Sequence, residues 1–100
     1  MNLVITEQAQ ERVADILDFL IASGASLSTA HRILNDIVDR FDQLVLYPRS
    51  GNVEPHLIHL GQRHRYLVEG NYKIIYTIRG KTIYITDIFD TRQDPDKMKG

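Results

Sequence analysis

The sequence predicts an α+β fold ordered β-α-α-β-β-β, an antiparallel sheet packed on one face by a helical hairpin. Three observations predict it. Apolar residues recur at steps of three and four through residues 9–45, the mark of amphipathic helices. From Arg65 onward the period drops to two, the mark of strands. Turn residues stand where the period changes or a run ends: Gly24, Pro48-Arg49-Ser50-Gly51-Asn52, Gly70-Asn71 and Arg79-Gly80-Lys81. A chain of 100 residues holds one core, so residues 1–100 read as a single domain.

Each element follows from local chemistry. Leu3–Ile5 is a short apolar strand. Thr6 occupies an N-cap position, where its hydroxyl accepts from the free amides of the next turn. Ala9, Val13, Ile16, Leu17 and Leu20 then form one stripe, with Glu7, Glu11, Asp15 and Asp18 on the wet side. Gly24 stops this helix, and Ser26 or Ser28 starts the next. Its stripe is Leu27, Ala30, Ile33, Leu34, Ile37, Val38, Phe41, Leu44 and Val45, and it ends before Tyr47-Pro48 because a pre-proline residue is pushed out of the helical region. The short link between the helices makes them antiparallel. The strand region alternates in three runs: Tyr66 and Val68 against Arg65 and Leu67; Tyr72, Ile74, Tyr76 and Ile78 against Lys73, Ile75 and Thr77; Ile83, Ile85, Asp87 and Phe89 against Thr82, Tyr84, Thr86 and Ile88. Tight turns join these runs into a meander, and the residues from Thr91 read as a polar tail.

Composition narrows the function. The chain is 43% apolar and 25% charged with a net charge of −1, so it is not a polycation that coats nucleic acid. Absence of cysteine removes disulfide scaffolds and thiolate chemistry. Apolar runs such as Phe19–Ala22 are far shorter than a membrane helix requires. The acidic start without a basic segment predicts no signal peptide, and a cytoplasmic protein is expected. The charge is polarised, however. Residues 1–60 carry four basic and eight acidic groups, whereas residues 61–100 carry eight basic and five acidic. Such polarity points to an anionic contact for the C-terminal segment.

Phosphate-loop, dinucleotide, nucleophile-elbow and zincin motifs are absent. His56, His59 and His64 lack the cysteine or carboxylate company of a zinc site, and no metal or cofactor is predicted. The second helix mixes Arg32 and Arg40 with Asp36, Asp39 and Asp42 and would repel a DNA backbone. The alternation of the strands places Arg65 and Lys73 on one face, with Arg63 beside them and Arg92 after the last strand. That is a basic patch with Tyr66 and Tyr84 within reach.

The run Val68-Glu69-Gly70-Asn71-Tyr72-Lys73-Ile74-Ile75-Tyr76-Thr77-Ile78, followed by Ile83-x-Ile85-x-Asp87-Ile88-Phe89-Asp90-Thr91-Arg92-Gln93-Asp94-Pro95, resembles the RelE/ParE superfamily of type II toxins. The Tyr47–Gly51 turn after a helix pair is similar too, and the likeness spans nearly the whole chain. RelE-like members are ribosome-dependent mRNA endonucleases. The resemblance would give Lys73 and Arg92 their two charge-stabilising positions, with Arg65 beside them and His64 as base. The segment after Arg92 holds neither tyrosine nor histidine, a departure from the nuclease pattern. ParE-like members keep the fold, lose the nuclease residues and act on DNA gyrase, and this sequence resembles that branch more closely. The resemblance therefore implies a plasmid- or chromosome-borne toxin without cofactor. It would bind gyrase through Arg63, Arg65, Lys73 and Arg92 and be neutralised by a cognate antitoxin. A ribosome- and mRNA-directed nuclease is the alternative.

Overall fold

Thr6 and Ser26 start the two helices. The Thr6 hydroxyl accepts from the Ala9 N–H at 3.2 Å, and the Ser26 hydroxyl accepts from the Thr29 N–H at 3.1 Å. Gly24 sits between the helices at φ 95°, a conformation open to glycine without strain. In the computed structural model, which describes residues 1–100, these signals delimit α1 (Glu7–Ala22) and α2 (Leu27–Leu46) after β1 (Asn2–Ile5). There follow β2 (Asn52–Val53), a 3-10 helix over Pro55–Leu60, β3 (Arg65–Glu69), β4 (Tyr72–Arg79), β5 (Thr82–Asp90) and a second 3-10 turn at Pro95–Lys97. No helix is long and apolar enough to cross a membrane.

The five strands form one sheet in the order β1-β5-β4-β3-β2. The sheet is mixed rather than purely antiparallel, because β1 runs parallel to β5, with Asn2 opposite Thr82 and Ile5 opposite Ile85. The two-residue β2 was not apparent from periodicity, since so short a strand has none.

One face of the sheet is buried under the helical hairpin. Leu67, Tyr72, Ile74, Tyr76, Ile83, Ile85 and Ile88 meet Ala9, Ile16, Ile37, Phe41 and Leu44 there. Leu27, Val38 and Val45, expected on the buried stripe of α2, are exposed instead. The apolar arc of α2 is wider than its contact with the sheet.

Ile88 reaches this core against the alternation of β5, and a bulge explains it. Tyr76 pairs with Ile85 but Ile75 pairs with Asp87, so Thr86 has no partner and the faces exchange beyond it. Asp87 and Phe89 are thereby turned to the outer face. That face is covered as well: Leu57, Ile75, Phe89 and Met98 form a second apolar cluster, with Tyr66 packed against it. The segment after Thr91 is thus a strap folded back across the sheet. The Lys99 N–H donates to Asp87 Oδ2 at 3.2 Å, while Arg12 Nε of α1 lies 2.9 Å from Oδ1 of the same carboxylate.

Candidate functional site

The strand register decides what the basic residues do. Gly70-Asn71 is a two-residue turn, so β3 and β4 pair positions of opposite parity: Arg65 faces Tyr76, Tyr66 faces Ile75 and Val68 faces Lys73. Arg65 therefore lies on the helix side of the sheet and Lys73 on the outer side. The expected sharing of one face by Arg65 and Lys73 does not occur, because alternation relates residues within a strand and says nothing across a hairpin until the register is known.

Lys73 is engaged on the outer face. Its Nζ donates to Glu54 Oε1 at 2.7 Å and stands 4.1 Å from the centre of the Tyr66 ring. Glu54 is wholly buried at the foot of the first 3-10 helix. Its other oxygen accepts from the His56 N–H at 3.2 Å. Burial alone would raise the Glu54 carboxyl, but the hydrogen bonds and charge of Lys73, together with those from His56, outweigh it and hold the group below its ordinary value.

Arg92 lies at the far end of β5 and is also engaged. Its Nε and Nη2 fork onto the two oxygens of Asp90 at 2.9 and 2.8 Å. This pairing lowers the Asp90 carboxyl, chiefly through the side-chain hydrogen bond, and raises the guanidinium. His64 is only 2% exposed, and neither ring nitrogen has a hydrogen-bond partner. Gly100 rests on its ring and on Leu60 so closely that a Cβ at position 100 would collide with both. Burial first, and then the positive charge of Arg79, lower the His64 pKa, which favours the neutral ring.

Arg63 and Arg65 remain without a carboxylate. Arg65 Nη1 donates to the Gly51 carbonyl at 2.8 Å. Arg63 is the only non-glycine residue at positive φ, 56°, a conformation that costs about 1–2 kcal/mol for an L-residue. The two line a depression of about 210 Å³ together with Arg49, Ile78 and Gly80. Arg49 was not singled out from the sequence, although its place in the Pro48–Asn52 turn was recognised. Gly51 holds that turn against the sheet: its N–H donates to the Tyr76 hydroxyl at 2.9 Å in the interior. Glu54 was also missed. Its signal was that of a lone acidic residue between an exposed turn and an apolar run, and its partner lies 19 positions away.

The four predicted basic contacts thus occupy three places: Arg63 with Arg65, Lys73 against Glu54, and Arg92 against Asp90. No group of three His, Cys, Asp or Glu side chains is placed to hold a metal ion.

A chain from the structure described as the chromosomal ParDE TA system from P. aeruginosa is similar with a TM-score of 0.68 and 21% identity, covering 88% of this chain and 92% of that one. That likeness concerns the fold. No curated protein sequence matches significantly. The profile of the ParE toxin of the type II toxin-antitoxin system, parDE, matches residues 3–95, from the first strand to the turn beyond Arg92, and the chain belongs to that toxin family.

Proposed function

We propose that this chain is a toxin that inhibits DNA gyrase by protein–protein binding in the cytoplasm and is neutralised by a cognate antitoxin. Membership in a toxin–antitoxin family implies the antitoxin partner. An antitoxin segment that folds on binding is the expected form of that partner. The observation that favours binding over RNA cleavage is the state of the residues a nuclease would need. Lys73 and Arg92 are neutralised by Glu54 and Asp90, and His64 is enclosed where no substrate proton reaches it. A general base has to stand within hydrogen-bond reach of the proton it takes. Arg63 and Arg65 remain free to meet a target, and the strap beyond Arg92 supplies further surface. Lys73 and Arg92 would join such a contact only by exchanging their present carboxylates.

Purified protein added to a gyrase supercoiling assay tests the proposal. Inhibition at micromolar concentration, relieved by the antitoxin, is expected. Unimpaired supercoiling together with new cleavages in translated message would replace this reading with the nuclease one.

A further inference from the structure

Most of the basic residues at one end of the molecule have no negative partner. Arg12, Arg40, Lys73 and Arg92 each have a carboxylate within salt-bridge distance; Arg49, Arg63 and Arg65 have none, yet they converge on one depression. They arrive from three parts of the chain: the turn after α2, the loop before β3, and the first residue of β3. Lys81, beside Gly80 in the turn at the edge of the depression, is exposed and equally without a carboxylate, whereas Arg79 lies over the Tyr84 ring, 5.6 Å from its centre, on the other face of β4. Like charges gathered without a counter-charge repel, and the backbone of Arg63 is held in a strained conformation besides. Strain of this kind persists only where the surrounding structure over-determines it, and it concentrates at ligand sites.

We infer that the Arg49–Arg63–Arg65 depression binds a phosphate group of a nucleic-acid backbone. The donor geometry selects phosphate over carboxylate. One guanidinium fork satisfies both oxygens of a carboxylate in a single plane. Here three arginines line one depression, and of their side-chain N–H groups only one has a partner in the protein, from Arg65 to the Gly51 carbonyl. A tetrahedral phosphate accepts from several directions at once. A polymer rather than an isolated ion is favoured by Lys81, which adds a second, exposed cation in the turn beside the depression. The net charge of −1 does not oppose this, because local fields rather than the total steer the contact. This inference does not depend on gyrase being the target.

Fluorescence anisotropy of a labelled 20-base-pair duplex, titrated with the full chain from low to moderate salt, tests it. Binding with a micromolar dissociation constant, weakening with a log–log salt slope of about −2, is expected for the phosphate in the depression and one neighbour. Arg63→Gly is the informative variant, because glycine accepts the positive φ. Its melting temperature should be unchanged or higher, while affinity falls about tenfold and the slope loses about one unit. Lys97→Ala, on the far strap, should bind as the parent does. Equal binding of a single-stranded RNA of the same length supports the backbone reading, since the phosphates are shared. Three results overturn it: no salt-dependent binding at 100 µM protein, equal affinity for poly-glutamate at matched charge, or a response to inorganic phosphate alone with none to either polymer.

Discussion

Replacing Lys73 by methionine isolates the interaction between the most nuclease-like residue and the body of the protein. Methionine keeps the stem over Tyr66 and removes the ammonium 2.7 Å from Glu54 Oε1. At that distance, with an effective dielectric of 20, the attraction is about 6 kcal/mol. Part of it is offset by the desolvation of both groups. What the variant leaves is a carboxylate with no solvent exposure and no counter-charge, and breaking a buried pair in this way costs about 3–5 kcal/mol. For a domain of this size, that lowers the melting temperature by at least about 12 °C.

The pH dependence supplies a sign as well as a magnitude. In the parent, Glu54 is held below its ordinary 4.5. Its stabilisation is therefore complete above that value and lost as pH falls through the lower, folded one. In Lys73→Met, burial, the largest single influence on the carboxyl, is opposed only by the hydrogen bonds from His56 and is expected to raise it, so that the folded state takes up a proton before the unfolded chain does. The variant's deficit should then shrink as pH falls from 7 towards 5. Urea unfolding at pH 7, 6 and 5 reads both effects, and adding Glu54→Gln should recover at least half of the loss. A deficit below about 1 kcal/mol at pH 7, or one that does not shrink on acidification, would refute the account of Lys73 as an internal ion-pair member.

Three further outcomes are expected. Gly51→Ala should fail to accumulate as folded protein or lose several kcal/mol in urea unfolding, since its Cβ would stand 2.5 Å from the Tyr76 hydroxyl and 2.6 Å from the Tyr66 carbonyl; native-like stability would mean that the turn is not held as described. Met98→Ala should cost about 2 kcal/mol, because Met98 is 8% exposed against Leu57, Ile75 and Phe89. The exposed Leu27→Ala should stay within about 0.5 kcal/mol, and equal losses would show that the strap is not packed. His64→Leu should flatten the acid side of the stability curve. The His64 pKa is lowered from 6.5 by burial and Arg79, so its neutral ring stabilises fully above 6.5 and progressively less as pH falls through the lowered value. Parallel parent and variant curves between pH 7 and 5 would contradict the enclosed ring.

What was legible in the residues was what short-range physics governs. Helix limits follow from caps and breakers within a turn or two, so Thr6, Gly24 and Tyr47-Pro48 were found where they act. Strand positions follow from alternation, and the toxin family follows from the Gly70–Tyr76 and Phe89–Pro95 runs. Which cations are free was not legible in this way. Glu54 and Lys73 meet across 19 residues, and the Arg65 contact with the Gly51 carbonyl spans 14. A distant pairing leaves no periodic trace.

By itself, then, the sequence determined two amphipathic helices, a strand meander and the resemblance to a toxin family, because periodicity, capping and turn chemistry act between near neighbours. Only the tertiary structure decided the parallel placement of β1, the bulge at Thr86 that turns Asp87 and Phe89 outward, the return of the strap over His64, and the gathering of Arg49, Arg63 and Arg65 at one end. Each of these depends on strand register and chain return. A shift of one residue in register exchanges the faces of a strand without altering its local pattern.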